Sequence, residues 1–180
     1  MHIIKKEESR KRKMNVCEYV KEKHKGQFRK QGTPYYLHPL AVSKILKDKG
    51  FDTEYQIAGL FHDLLEDTDT SYEEIKDISN RRIADCVLLV TKEPGYTKKK
   101  YYGRIKKNHM ARMVKLADRL HNLSEAHFAD RDFQRKYIKE TEEWFIDLAE
   151  GTVFEKDIQI QLEALKETYK KSTPEERELD

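Results

Sequence analysis

The stretch GLFHDLLEDTDTSYEEI, residues 59–75, carries the pattern that decides the fold. The pattern predicts a helix that begins at Asp52 or Thr53. Apolar residues cover most of its circumference, so we expect it to be the buried central element. Residues three and four apart share a helix face, so we expect His62 beside Glu66, and Asp63 beside both Glu66 and Asp67. Four polar side chains are thereby gathered on one edge of an apolar helix.

A polar edge of this kind indicates a bound cation. Unpaired carboxylates next to apolar surface are costly, and a divalent metal is the natural partner. Imidazole together with carboxylate suits Mn, Fe or Zn better than Ca or Mg, which prefer oxygen ligands. A metal needs further ligands, and His38 and Asp118 are the best candidates because each lies on a predicted apolar helix that must pack on the central one.

Simpler interpretations of these residues stay open. A histidine before a proline, such as His38, is often a capping or packing residue, and Asp118 can instead pair with Lys115 or Arg119. The remaining histidines lack partners at ligand spacing and are interpreted as structural or surface residues: His2, His24, His109, His121 and His127.

Composition predicts a single all-α domain. The chain has 180 residues, of which 38% are charged, yet its net charge is only +3, which argues against a dedicated nucleic-acid binder. Seven Gly and four Pro are few for this length and favour helices over a turn-rich sheet protein. We expect a charged tail or helix start over residues 1–14, one domain over 15–170, and a polar tail over 171–180.

Periodicity and caps predict the helices. Gly59 is expected at a close helix contact, and Ser71 with Glu74 forms a capping-box pattern. The basic run KKKYYGRIKK, residues 98–107, is interpreted mainly as a solvated face that leads into the helix after it. The predicted helices cover about 15–24, 38–49, 53–65, 71–78, 82–90, 110–123, 133–149 and 154–169.

The sequence also predicts a soluble cytoplasmic protein. No apolar run approaches the ~18 residues of a membrane span, and the N-terminus lacks a signal-peptide core. Cys17 and Cys86 show neither a metal-type CxxC spacing nor a disulfide framework, so we expect reduced thiols.

Five segments together resemble one known family. They are HKGQFRKQGTPYYLHP (24–39), GLFHDLLEDTDTSYEEI (59–75), LVTK (89–92), MVKLADRLHNL (113–123) and YIKETEEWFIDLA (137–149). In order and spacing they are similar to the hydrolase half of RelA/SpoT proteins, the HD-superfamily domain that degrades the alarmone (p)ppGpp. The resemblance covers about residues 15–150 and implies a compact multi-helix HD-domain fold. No part resembles the synthetase half, which implies a stand-alone small alarmone hydrolase.

The resemblance also implies roles for individual residues. It makes His38, His62, Asp63 and Asp118 the ligands of one metal, usually Mn2+ in this family. It makes Glu66 and Asp67 the pair that orients and activates the attacking water. The implied reaction is hydrolysis of the 3′-pyrophosphate of (p)ppGpp to GTP or GDP and pyrophosphate.

Substrate contacts follow from the same resemblance. Arg29 matches the arginine that stacks on guanine, and Asn122 matches the asparagine that contacts the ribose near the reacting 3′ oxygen. Two positions depart from the family pattern: Leu89 replaces a common Gly before VTK, and Glu125 replaces a residue that is often small or hydroxyl-bearing.

The sequence is compatible with other functions as well. The expected partner is a guanine nucleotide alarmone, with no nucleic acid and no membrane. Because Leu89 and Glu125 depart from the pattern, the alternative is an HD-type phosphohydrolase that acts on another phosphorylated nucleotide. A non-catalytic nucleotide sensor is a further alternative, and a nucleic-acid binder comes third.

Overall fold

The computed structural model describes residues 15–171 and confirms the all-α class. Within these residues the only strand-like pairing is an isolated bridge between Phe28 and Pro34. The predicted tail at 1–14 and all of the predicted C-terminal tail except Lys171 lie outside the described residues. The domain boundaries at 15 and 170 therefore stay predictions.

The helices follow one another with short connections. They are α1 (Val16–Lys23), α2 (Leu37–Asp48), α3 (Thr53–Phe61), α4 (Leu64–Asp67), α5 (Tyr72–Ile78), α6 (Arg81–Val90), α7 (Lys98–Lys106), α8 (His109–Ala126), α9 (Arg131–Glu140), a π-helical turn (Thr141–Phe145), α10 (Ile146–Ala149) and α11 (Glu155–Lys171).

Side-chain caps begin several helices where the sequence predicts them. The Asp52 carboxylate accepts hydrogen bonds from the backbone N–H groups of Glu54 and Tyr55. Asp52 is therefore the N-cap of α3, and the helix begins at Thr53. The Ser71 hydroxyl accepts from the backbone N–H of Glu74 at the start of α5. The Glu74 side chain does not complete the capping box, because it accepts from the Tyr19 hydroxyl of α1 instead.

Gly59 lies where α3 crosses α2, as predicted. A Cβ atom at this position would lie 2.6 Å from Cδ1 of Leu46 and 3.3 Å from Cγ1 of Val42. Both neighbours are fully buried, so the close approach of the two helices depends on the missing side chain.

The buried centre is shared by α3 and α8. Helix α8 is 18 residues long and packs against α2, α3, α6, α7, α9, α10 and α11. Its side chains Met113, Leu116 and Leu123 are almost fully buried, as are Leu60 and Phe61 of α3. Any polar group in the middle of α8 is therefore held in the interior of the molecule.

The helix predicted over 53–65 is interrupted at His62 and Asp63. Asp63 has φ −99° and ψ −4°, outside ideal helical geometry, and α4 begins only at Leu64. The prediction of one continuous helix was wrong here. The apolar residues keep helical spacing on both sides of the break, so their pattern cannot reveal it. The break places His62 and Asp63 between two helical segments.

Two further helix boundaries differ from the prediction. The basic run at 98–107 does not merely lead into the next helix but forms α7; its lysines are exposed, in agreement with a solvated face, whereas Tyr101 and Tyr102 are buried. The single helix predicted over 133–149 begins at Arg131 and widens into the π-helical turn Thr141–Phe145 before α10.

Two smaller expectations agree with the structure. Cys17 and Cys86 are both free thiols, and burial raises the pKa of Cys86 to about 12. Among the helices of residues 15–171, none combines the length and the apolar character needed to cross a membrane.

Candidate metal centre and nucleotide cleft

The four candidate metal ligands converge on one point. His38 lies in the first turn of α2, His62 and Asp63 at the break between α3 and α4, and Asp118 in the middle of α8. Nε2 of His38 is 3.1 Å from Oδ1 of Asp118 and 3.6 Å from Oδ2 of Asp63. Nε2 of His62 is 3.1 Å from Oδ2 of Asp63 and 3.8 Å from Oδ1 of Asp118.

His38, His62 and Asp118 have the geometry of a metal-binding group. One ligand atom from each lies within 4.8 Å of the others, and all three residues are buried. Nitrogen and carboxylate oxygen together form a donor set suited to a first-row transition metal. These three residues therefore can hold a metal ion, with Asp63 directly beside them.

The hydrogen bonds of His62 leave one ring nitrogen available as a ligand. Its Nδ1 lies 2.7 Å from the carbonyl oxygen of Gly59, which can only accept, so Nδ1 carries the proton and donates. Its Nε2 is buried and has no hydrogen-bond partner among the described residues. A buried ring nitrogen that faces two carboxylates, 3.1 Å from Asp63 and 3.8 Å from Asp118, suits a position that either a proton or a metal ion can occupy.

His121 supports His38 and was missed by the sequence analysis. The two Nδ1 atoms lie 2.8 Å apart, which orients the His38 ring and turns its Nε2 toward the carboxylates. Burial and the adjacent His38 lower the pKa of His121 to about 4, so its imidazole is neutral. His121 lies three residues after Asp118 on α8, and this helical spacing was the available signal.

Asp118 divides its two oxygens between different partners. Oδ1 faces His38 and also accepts a hydrogen bond from the amide of Asn122, whereas Oδ2 lies 2.8 Å from Nζ of Lys115. The pairing with Lys115 that the sequence left open is thus present together with the ligand geometry. The pairing with Arg119 is not formed, because that guanidinium binds Glu140 at 2.6 Å.

The electrostatics of this cluster favour bound positive charge. Burial alone raises the pKa of Asp118, but Lys115 and the two histidines outweigh it and hold the pKa well below its usual range. Burial likewise lowers the pKa of His62, while Asp63 and Asp118 outweigh it and raise the pKa to about 9. The carboxylates therefore stay ionised and attract a cation or a proton to the same place.

Glu66 and Asp67 line the cleft beside the cluster but have different partners. Glu66 accepts from Nζ and from the backbone N–H of Lys92, at 2.9 and 3.0 Å. Asp67 accepts from the Tyr35 hydroxyl at 2.8 Å, and the same hydroxyl lies 2.8 Å from Oδ2 of Asp63. Partial burial and the charge of Asp63 raise the pKa of Asp67, which makes it a stronger base than an ordinary aspartate.

The predicted substrate residues lie together on one wall of the cleft. The Arg29 guanidinium donates to Oδ1 of Asn122 at 2.8 Å, although 93 residues separate them in the chain. It also forms an ion pair of 2.6 Å with Glu125, which accepts a further hydrogen bond from Gln31. Glu125, one of the two residues that depart from the family pattern, therefore pairs directly with Arg29.

The cleft has a volume of about 450 Å³, enough for a nucleotide-sized ligand, and cations surround it. Lys98 of the basic run at 98–107 lines it and also pairs with Glu140 at 3.0 Å. Lys136 on α9 lines the cleft as well. The cationic residues that line the cleft are Arg29, Lys30, Lys92, Lys98, Lys115, Arg119 and Lys136.

Comparison with known proteins agrees with this geometry. The HD domain family matches residues 16–151. A guanosine-3′,5′-bis(diphosphate) 3′-pyrophosphohydrolase of Aquifex aeolicus is 40% identical over 140 residues, which cover 73% of this chain and 20% of that protein. The pyrophosphohydrolase MESH1 of Danio rerio is 31% identical over 148 residues, covering 77% of this chain and 82% of that protein.

A solved structure shares the fold. It is described as a metazoan ortholog of SpoT that hydrolyzes ppGpp, and it superimposes with a TM-score of 0.70 at 26% identity, covering 84% of this chain and 92% of that one. The chain spans about a fifth of the length of the Aquifex relative. It belongs to the HD domain family, in the group that contains the guanosine-3′,5′-bis(diphosphate) 3′-pyrophosphohydrolases.

Proposed function

We propose that this protein is a metal-dependent hydrolase that removes the 3′-pyrophosphate from (p)ppGpp and leaves GDP or GTP. The observation that carries the proposal is the convergence of His38, His62, Asp63 and Asp118 beside a cleft that is lined by Glu66 and Asp67 and by all of these candidate ligands except His62. The relatives named as ppGpp hydrolases support the same substrate. We further propose Mn2+ as the metal, a small-molecule guanine nucleotide as the partner, and a cytoplasmic location.

Each group in the cleft has a chemical task in this proposal. A divalent cation, when bound, lowers the pKa of water and polarises a phosphoryl oxygen. Asp67, whose pKa is raised, accepts a proton from the attacking water, and general-base help of this kind is typically worth about 10²- to 10⁴-fold. Water oxygen bonds to phosphorus, the bond between phosphorus and the ribose 3′ oxygen breaks, and that oxygen takes up a proton from solvent to become the 3′-hydroxyl of GDP or GTP.

The other wall of the cleft binds the nucleoside. Arg29 offers a planar cation that can stack on a purine, and Asn122 lies between Arg29 and Asp118. In this proposal Asn122 contacts the ribose near the reacting ester. Lys30, Lys98 and Lys136 supply positive charge for the remaining phosphates.

The direct test is incubation of the purified protein with Mn2+ and ppGpp, followed by analysis of the products. We expect equal amounts of pyrophosphate and GDP, and no turnover in the presence of EDTA. Replacement of both Glu66→Gln and Asp67→Asn should preserve Mn2+ binding and abolish turnover. Full activity of that double variant would refute the assigned roles.

A second candidate function is hydrolysis of another phosphorylated nucleotide, and the ion pair between Glu125 and Arg29 favours it. A carboxylate 2.6 Å from the proposed base-stacking arginine changes the charge that the substrate meets. A panel of other nucleotides should be assayed alongside ppGpp. Turnover of these alone would select this second function, whereas metal-independent binding without turnover would indicate a sensor.

A further inference from the structure

We infer that Tyr35 is a positioning residue, whose hydroxyl holds the Asp67 carboxylate beside Asp63 in the orientation needed to activate water. The inference rests on the proposed function, because it concerns how Asp67 performs its task there. Tyr35 lies in the loop between α1 and α2, and it lines the cleft with both aspartates.

The Tyr35 hydroxyl links two carboxylates that would otherwise repel each other. Its oxygen lies 2.8 Å from Oδ2 of Asp63 and 2.8 Å from Oδ2 of Asp67. A phenol has a single proton, so it donates to one of these oxygens at a time and is shared between them. This sharing keeps Asp67 close to Asp63, and therefore close to the place where the candidate metal ligands converge.

The ring that carries this hydroxyl is itself fixed on several sides. The His24 imidazole stacks on it with ring centroids 4.9 Å apart, and the Tyr35 backbone N–H donates to the carbonyl of Gln27 at 2.9 Å. The Gln27 side chain bonds His24 at 2.7 Å and donates to the Asp67 carbonyl, also at 2.7 Å. The loop thus holds Asp67 at both its side chain and its backbone.

A consequence of this arrangement is that water activation is coupled to the nucleoside wall. Arg29 belongs to the same loop, where its backbone N–H donates to the carbonyl of Thr33 at 2.9 Å. Arg29 and Tyr35 are only six positions apart in the sequence, and Pro34 between them pairs with Phe28 in the isolated bridge. One short loop therefore positions a proposed base-stacking cation and the proposed general base.

The first test is Tyr35→Phe, which removes only the hydroxyl. At saturating Mn2+ we expect kcat to fall about 10- to 100-fold, the range typical for loss of an orienting partner. KM should stay within about twofold, because the hydroxyl acts on the chemical step rather than on uniform substrate binding. Tyr36→Phe is the matched control, since the Tyr36 ring lies beneath the Lys21 ammonium outside the cleft.

A double-variant cycle tells whether Tyr35 acts through Asp67. If it does, Tyr35→Phe should cause no further loss in a protein that already carries Asp67→Asn, because the shared interaction is already gone. Fully additive losses would overturn the inference. So would a loss that is seen only below saturating Mn2+ and disappears at saturation, because the hydroxyl would then serve metal binding through Asp63 alone.

A structural measurement does not depend on the substrate. In a crystal structure of Tyr35→Phe we expect the Asp67 carboxylate to turn away from Asp63, whereas in Tyr36→Phe it should stay in place. An unmoved Asp67 in Tyr35→Phe would overturn the inference for any substrate. Absence of ppGpp turnover by the wild-type protein would instead refute the proposed function and leave this structural result decisive for Tyr35.

Discussion

At the scale of single residues, the two polar atoms of Asp118 face different partners, and so do the two ring nitrogens of His62. Asp118 turns Oδ1 toward His38 and Oδ2 toward Lys115, and His62 uses Nδ1 for Gly59 while Nε2 stays free of hydrogen bonds. This division fixes the direction of every lone pair that faces the point of convergence. Buried ligands oriented in this way need little rearrangement to bind a cation.

We predict that the substitution Glu125→Gln improves substrate binding, because Glu125 forms an ion pair with Arg29. Glu125→Gln removes a negative charge from the nucleoside wall and frees the Arg29 guanidinium from a 2.6 Å ion pair. Because partly exposed pairs are worth about 0.2–1 kcal/mol, KM for ppGpp should fall by roughly 1.4-fold to fivefold with little change in kcat. Steady-state kinetics at fixed Mn2+ concentration measure both constants.

The control for this variant has to change the net charge equally. Glu163→Gln on α11 does so away from the cleft, where Glu163 pairs with Lys166. KM should be unaffected in that variant. A rise in KM for Glu125→Gln would show that the Glu125 carboxylate itself contacts the nucleotide, and the prediction would be wrong.

At the scale of helices, the site is assembled where three elements meet. The close contact of α2 with α3 brings His38 toward His62, and α8 inserts Asp118 from the opposite side. The α2–α3 contact depends on Gly59, whose position leaves no room for a side chain against Leu46. Packing in the core and the geometry of the site are thus set by the same contact.

Gly59→Ala should destabilise the protein despite the higher helix propensity of alanine. The new Cβ atom would lie 2.6 Å from Cδ1 of the fully buried Leu46, and overpacking of this kind typically costs about 1–3 kcal/mol. Gly103→Ala on α7 is the matched control, because a Cβ atom there meets nothing within 4 Å. That variant should be neutral or more stable, by up to about 1 kcal/mol.

Denaturant unfolding of both variants measures these free energies. A stable Gly59→Ala protein with unchanged unfolding midpoint would mean that Leu46 adjusts without cost. Since Gly59 also accepts the hydrogen bond from His62, a shift of α3 should in addition weaken Mn2+ binding. Gly103→Ala should bind Mn2+ like the wild-type protein.

Local patterns predicted most of the helices but not the contacts that complete the site. Caps such as Asp52 and the apolar periodicity of α8 depend on neighbours in sequence, so they can be recognised in the sequence itself. The ion pair of Glu66 with Lys92 joins residues 26 apart and depends on how α4 and α6 pack. No local pattern encodes such a contact.

The break at His62 and Asp63 shows the same limit. The apolar residues on both sides keep helical spacing, so periodicity predicts a continuous helix through them. The hydrogen bond from His62 to Gly59, three residues earlier, and the conformation of Asp63 end α3 there. The predicted gathering of carboxylates was nevertheless useful, because the break directs Asp63 toward His38 and His62.

At the scale of the whole molecule, the candidate ligands connect parts of the chain that are far apart in sequence. His38 lies in α2, His62 directly follows α3, Asp118 lies in α8, and all three are buried. A cation held by them would cross-link α2, α3 and α8 in the folded state. The unfolded chain does not hold the three groups together, so binding should favour the folded state.

This linkage predicts a metal-dependent melting temperature. At a free Mn2+ concentration about 100 times Kd, the folded state should gain about 2.7 kcal/mol, which corresponds to a rise in Tm of roughly 5–10 °C for a chain of this size. EDTA should remove the gain. Ca2+ at equal concentration should stabilise the protein much less, because two of the three ligands are imidazoles and Ca2+ prefers oxygen.

Replacement of one ligand separates specific binding from a general effect of divalent ions. His62→Gln removes the unpartnered Nε2 and should abolish the Mn2+-dependent rise in Tm, whatever its effect on the metal-free protein. His127→Gln is the control, because this histidine bonds Thr168 at the α8–α11 contact and should leave the rise intact. An equal rise in His62→Gln and wild-type protein would place the stabilising ion elsewhere and contradict the three-helix metal centre, even if ppGpp hydrolysis were observed.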